Sequence, residues 1–196
     1  MLPSTIKPDA PQMTISDIEE NIVIVDKSIH CMLKALILHI KREKNSYPTC
    51  SNQSNGWECK KAMTQDNEGK WFCSKCNVTK TDCNYRYILQ VKLHDHTNTM
   101  WAIAFDEGAL QLMQIPAKEL STLQFSTPEG NESEQIIRDA CNKEYIFSLS
   151  CKKEMYDNES QLKVIITGVE EVNFVVDSAI LLSQIKQMVD HTIALE

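Results

Sequence analysis

A chain of 196 residues, 42% hydrophobic and 24% charged, has room for one sizeable domain with or without a small insert. No apolar run approaches the roughly 20 residues needed to span a bilayer, so no membrane association is expected. The net charge of −7 argues against a generic polyanion binder, yet Lys41 to Lys92 holds ten basic against five acidic residues while the remainder holds ten against 22. That division fits either a localised anion-binding surface or a solvated ribbon kept soluble by its lysines.

Residues 1–13 carry three prolines and read as a linker. No secretory signal is recognisable at the start, so the eight cysteines are expected in a reducing compartment, as metal ligands or small core residues. Ser16-x-x-Glu19 has the form of a capping box and predicts a short helix around Asp17 to Asn21. Ile29 to Ile40 is long and nearly all apolar, as in a strand buried on both sides or curved around a barrel.

A polar segment follows that holds Cys50 and Cys59, then Cys73 and Cys76 as a CxxC. Two thiolate pairs separated by 13 residues suit one tetrahedral zinc ion, with turn formers at Asn55-Gly56 and Gly69. A shell of four sulfurs has no position for water, which makes such an ion a folding staple rather than a catalyst. The alternatives are two disulfides or four unconnected core cysteines, and Cys83 is near enough to compete as a ligand.

Tyr85 to Leu93 alternates cleanly, with Arg86, Ile88, Gln90 and Lys92 on one face. A turn at residues 94–98 leads to a hairpin partner, Thr99 to Phe105, which sets Trp101, Ile103 and Phe105 against Met100, Ala102 and Ala104. Either the aromatics fill the core, or the small residues do and the rings stand outside as a platform for bases. His94 and His96 lie in the turn with no nucleophile in a recognisable motif, so no enzyme is expected. Helices are predicted at Glu107 to Gln114 and Glu132 to Cys141, with a loop at residues 126–131.

Two more strands, Tyr145 to Lys153 and Leu162 to Val169, complete a set of five, with Gly168 as a candidate bulge and Lys152 on an outer face. Phe174 to Ala194 has apolar residues Leu181, Leu182, Ile185, Met188 and Val189 at helical spacing, a stripe wider than one small barrel needs to cover it. Five strands with a helix between the third and fourth have the order of an OB barrel.

The stretches Tyr47-Pro48-Thr49-Cys50, Trp71-Phe72-Cys73-Ser74-Lys75-Cys76, Tyr85-Arg86-Tyr87-Ile88-Leu89, Trp101-Ala102-Ile103-Ala104-Phe105 and Tyr156-Asp157-Asn158-Glu159-Ser160 resemble the C-terminal DNA-binding domain of the replication protein A large subunit. The resemblance runs in order from about Ser28 to the C-terminus, with the first cysteine pair widened by Ser54-Asn55-Gly56-Trp57. It implies a mainly β fold: a five-stranded OB barrel over residues 14–172, a zinc-ribbon insert at about residues 47–82 between its first two strands, and an amphipathic oligomerisation helix over residues 173–196. It further implies single-stranded DNA bound by stacking on Trp101, Phe105 and Tyr156; strand alternation sets Arg86, Lys92 and Lys152 as the cations expected beside them, and Lys60, Lys61 and Lys75 of the ribbon are expected to extend the groove. The terminal helix would join two smaller OB-fold subunits in a nuclear heterotrimer. A telomerase-associated paralogue is a variant of this expectation. The alternative is a protein-interaction module that assembles partner subunits, with only incidental DNA contact.

Overall fold

The computed structural model describes residues 10–24, 28–54, 56–126, 131–156 and 159–193. Most of the expected linker, the middle of the loop at residues 126–131 and the Asp157-Asn158 turn lie outside the described residues. Helix α1 (Ile15–Ile24) is longer than expected, and Ser16-x-x-Glu19 does not cap it. Thr14 and Asp17 do: the Asp17 N–H donates to Thr14 Oγ1 at 3.2 Å, and the Thr14 N–H and hydroxyl donate to the Asp17 carboxylate at 2.9 and 2.7 Å. Ser16 already lies inside the first turn, where its N–H reaches Thr97 Oγ1. Just ahead of the helix, Met32 N–H donates to the Pro11 carbonyl and Met13 N–H to the Met32 carbonyl, both at 2.8 Å.

Strand β1 (Ile29–Ile40) is followed by six short strands: β2 (Ser46–Thr49), β3 (Gln53–Ser54), β4 (Trp57–Glu58), β5 (Thr64–Gln65), β6 (Trp71–Cys73) and β7 (Val78–Lys80). Next come β8 (Asn84–His94) and β9 (Thr99–Phe105), then helices α2 (Asp106–Met113), α3 (Ala117–Ser126) and α4 (Asn131–Ala140). Strands β10 (Glu144–Tyr156) and β11 (Glu159–Glu171) lead to the terminal helix α5 (Phe174–Ile193), giving a mainly β chain. β1 pairs antiparallel with β10 along its first half and with β8 along its second, changing register between Ile37 and His39. With β10–β11, β11–β9 and β9–β8 also paired, the five long strands form a closed ring. Of these ring pairs only β11–β9 is parallel, matched at Ile165–Ile103 and Ile166–Ala104.

The two-residue period of each strand divides the ring into an inside and an outside. Leu33, Ile37, Leu89, Leu93, Phe147 and Leu149 point inward and are buried, as are Ala102 and Ala104 of β9. Burial of each larger side chain stabilises the fold by about 1.5–3 kcal/mol. Opposite Ser148 and Leu149, β11 carries one extra residue, the bulge expected beside Gly168. The Val169 N–H next to it donates to Gln111 Oε1 of α2 at 2.9 Å. Gly108 lets α2 sit this close, since a Cβ there would lie 3.2 Å from the Ile166 carbonyl oxygen. Helix α3 is not announced by the sequence. Its signal is weak because Ser, Thr and Gln interrupt the apolar stripe, leaving Ala117, Leu120 and Ser121 to face inward.

The turn between β8 and β9 explains Asp95. Its carboxylate accepts the N–H groups of Thr97 and Asn98, the Thr97 hydroxyl and the Ile15 N–H that opens α1. Burial alone would raise its pKa, but the bonds from Thr97, Ile15 and Asn98 outweigh burial and hold it below 3.8. Asp95→Ala would strand several donors, so a loss of about 1–3 kcal/mol is expected in urea unfolding at neutral pH. Because the folded carboxyl is the more acidic form, its contribution is complete above the ordinary carboxylate pKa and fades as pH falls through the folded one. The gap between wild type and variant should therefore narrow below about pH 4; a gap that is constant from neutral to acid would contradict the assignment.

Candidate functional site

The small, inward Met100, Ala102 and Ala104 leave Trp101, Ile103 and Phe105 on the outside of the ring, with Trp101 44% and Phe105 38% exposed. Cross-strand register then builds a row around Trp101. Trp101 lies opposite Lys92 of β8, which lies opposite His39 of β1. Lys92 Nζ is 6.0 Å and Lys41 Nζ 5.0 Å from the Trp101 ring centroid, and the His39 ring meets Trp101 edge-on at 6.2 Å. Sequence reasoning places Lys92 here but misses His39 and Lys41. The register change in β1 is what brings them round to this face, and no residue pattern announces it.

Two grooves flank this strand. One of about 320 Å³ runs beside Trp101 and Ile103 and is bounded by Gln90, Gln161, Lys163 and Glu154. The other, about 210 Å³, runs beside Phe105 between Arg86, Asp106 and Ile165. The expected cations differ in their availability. Arg86 is ion-paired with Asp106, whose other oxygen accepts the Tyr87 N–H at 2.8 Å. Lys152 is paired with Glu154, which also holds Lys163 at 3.0 Å; the two ammonium groups keep the Glu154 carboxyl below the usual carboxylate range. Tyr156 ends β10, and its side chain lies outside the described residues, as does that of Met188.

The insert between β1 and β8 is joined to the ring through β2, which pairs with the first residues of β8. Its four cysteines, Cys50, Cys59, Cys73 and Cys76, bring their sulfurs within 4.8 Å of one another. Cys50 Sγ lies 4.0 Å from Cys76 Sγ, and Cys59 Sγ 3.8 Å from Cys73 Sγ. A tetrahedron of metal–sulfur bonds near 2.3 Å has edges of about 3.8 Å, so the set could hold a metal ion. Lys60 and Asn77, each directly after the second cysteine of a pair, take positive φ of 55° and 52° and turn the chain back around the site. The Asn52 N–H points at Cys50 Sγ at 3.4 Å. Contact with Cys59 pushes the Cys76 thiol up to about 12. Cys73 is held near 7 against the effect of burial by the backbone N–H groups of Cys76 and Lys75 and by the neighbouring Cys50 and Cys59 thiols. Cys83 is buried in the same small core but is not one of the four.

Helix α5 is tied to the body by Asp177, which accepts from Lys34 Nζ at 2.7 Å. Its apolar side chains are otherwise open: Val175 is 82% exposed, and Ile180, Leu181, Leu182, Ile185 and Val189 are each about half exposed. No helix among the described residues is long and apolar enough to cross a membrane.

The family model for the replication factor-A C-terminal domain matches residues 30–181, so the chain belongs to that family. A 70 kDa DNA-binding subunit of replication protein A from Arabidopsis thaliana is 31% identical over 182 residues, covering 92% of this chain and 28% of that protein. Replication factor A protein 1 of Saccharomyces cerevisiae is 30% identical over 166 residues, covering 84% and 26%. The chain thus spans about a quarter of the length of these curated relatives. A solved structure of yeast RPA bound to ssDNA matches with a TM-score of 0.79 at 28% identity, over 93% of this chain and 99% of that one. A replication protein A heterotrimer bound to ssDNA matches with a TM-score of 0.80 at 26% identity, over 90% and 40%.

The sulfur geometry is directly testable. Titration of the reduced chain with Co²⁺ should saturate at one equivalent with the spectrum of a tetrahedral thiolate site, and binding should weaken as pH falls because protons compete for the sulfurs. Cys73→Ala should abolish that spectrum. An octahedral spectrum, or one indifferent to Cys73→Ala, would show that the four sulfurs do not act together.

Proposed function

We propose that this replication factor-A C-terminal domain is a non-catalytic module that binds single-stranded DNA on the outer face of β9, as part of a replication protein A-like large subunit serving DNA replication and repair in the nucleus. The observation that carries this reading is the row His39, Lys92 and Trp101, with Lys41 over the same ring: an exposed π-face with cations at its edge. Trp101 and Phe105 stack bases, and Tyr156 supplies a third ring. Lys41 and Lys92 attract the backbone, while Arg86 and Lys152 must first exchange Asp106 and Glu154 for phosphates. Lysine outnumbers arginine by 17 to three in this chain, which favours sequence-tolerant attraction over bidentate reading of bases.

Zinc is the ion the four-thiolate set suits best, since it accepts tetrahedral sulfur ligation without redox chemistry. In this reading it fixes the ribbon, roughly residues 47–82, against an OB domain of residues 14–172, so that Lys60, Lys61 and Lys75 extend the DNA-binding surface. The protein shell is complete with four sulfurs, which leaves the ion a structural role. Helix α5 is the docking element for two smaller OB-fold subunits. A helix apolar around much of its circumference is suited to burial within a bundle, and about half or more of each apolar side chain from Phe174 to Val189 with a described exposure is open. That exposure also favours a second reading, an assembly module in which DNA contact is incidental. A telomerase-associated role would use the same contacts and would be recognised by preference for a telomeric repeat over a scrambled oligonucleotide.

Stacking contributes about 1–3 kcal/mol per base, a value established on single-strand-binding OB folds of this kind rather than derived from this chain. Trp101→Ala with Phe105→Ala is therefore expected to weaken binding of an oligothymidylate by at least about thirty-fold. Lys41→Ala and Lys92→Ala should each lower the salt slope by about 0.7. Unchanged affinity in the aromatic double variant, with binding lost only when Leu181 and Ile185 are changed, would favour the assembly reading.

A further inference from the structure

Trp57 is the most exposed large side chain of the ribbon, at 81%. It stands at the end of the two-residue hairpin β3–β4, opposite Ser54, where Gly56 takes a φ of +79° to close the turn. The hairpin is held at several points. The Cys59 N–H donates to the Asn52 carbonyl at 2.9 Å, Cys59 belongs to the four-sulfur set, and Glu58 accepts from the Asn84 amide at 3.3 Å. Nothing in the interior needs this indole, and the hairpin that carries it is anchored beside Asn84 of β8 through its neighbour Glu58.

Those residues lead back to the ring face. The groove beside Phe105 is bounded by Arg86 and Asp106. The same two residues bound the next depression, about 280 Å³, which continues to Asn84 and Glu58. Trp101 and Phe105 are four residues apart on β9, about 13 Å; Asn84 lies the same distance beyond Ile88, the residue opposite Phe105. The depressions beside Phe105 and beside Asn84 therefore join at Arg86 and Asp106, and the second reaches Glu58 of the hairpin that carries Trp57. Lys60 and Lys61, exposed and close behind Trp57 in the chain, add positive charge to the ribbon. The wall of that second depression carries the carboxylates of Glu58 and Asp106 together with Arg86, paired with Asp106, and Lys118, paired with Asp82.

We propose that Trp57 is a further base-stacking residue, which captures single-stranded DNA after it has passed Phe105 and lengthens the site from the ring onto the ribbon. The proposal rests on the DNA-binding reading of Trp101 and Phe105, and its test separates the two. Affinities of the full chain with its metal bound would be measured for oligothymidylates from about 4 to about 16 nucleotides, the range of site sizes for one OB fold. Trp57→Ala is expected to leave the shortest oligonucleotides unaffected, to weaken the longest by about five-fold or more, and to leave the salt slope unchanged because no phosphate contact is lost. Trp57→Phe, which keeps a π-face, should retain most of the affinity. Trp101→Ala should weaken binding at every length. If Trp57→Ala changes no length while Trp101→Ala changes all, the ribbon extension is wrong and the ring site stands. A loss that is equal at all lengths would overturn it as well, since the residue would then support the fold and not a distal base. If neither variant has any effect, the DNA-binding reading itself falls.

Discussion

Closure of the strand ring is the constraint from which the other features follow. β1 must serve two neighbours, β10 through its first half and β8 through its second, and it manages this by changing register between Ile37 and His39. Once the ring is closed, every strand has one face with nowhere to go but inward. On β9 that space admits Met100, Ala102 and Ala104, and alternation then forces Trp101 and Phe105 outside. The exposed rings are thus a consequence of packing inside the ring as much as of any selection on its surface. The same irregularity that closes the ring also carries His39 and Lys41 round to Trp101.

The insert solves a different problem. Between β1 and β8 the chain has few aliphatic residues with which to build a core, and what core there is consists of the four clustered cysteines with Met63, Cys83 and the half-buried Trp71 and Val78. The sulfurs of the four lie within 4.8 Å of one another. A divalent ion bound by the four sulfurs would hold three short hairpin segments that have little else to order them. The pairing of β2 with β8 transmits that order to the ring, which fixes the ribbon beside one end of the aromatic face.

Much of this is legible in the residues. The alternation in β8 and β9 and the apolar run of β1 announce strands, and the CxxC with its partner pair announces four cysteines brought together, while the face of β9 that turns inward stays open until the ring is closed. What cannot be read there shares a physical cause: it depends on contacts between segments remote in sequence. Helix α3 has too few apolar positions to announce itself, and it forms against β8, with Lys118 reaching Asp82 near the ribbon. The cap of α1 is a local Thr14-x-x-Asp17 box that begins two residues before Ser16, and only the partners of the Ile15 and Ser16 N–H groups, Asp95 and Thr97, lie some eighty residues on. The pairing of Arg86 with Asp106 and of Lys152 with Glu154 is equally invisible, since strand alternation gives the face of a side chain and not its neighbour across the surface.

The central claim is that unpaired bases lie on the outer face of β9. Photo-cross-linking of a 5-iodouracil-substituted oligonucleotide to the chain, followed by peptide mapping, addresses it without relying on variants. Adducts should concentrate on the peptide that contains Trp101 and Phe105. Adducts confined to α5 or to the opposite side of the ring, with the β9 peptide unmodified, would contradict it.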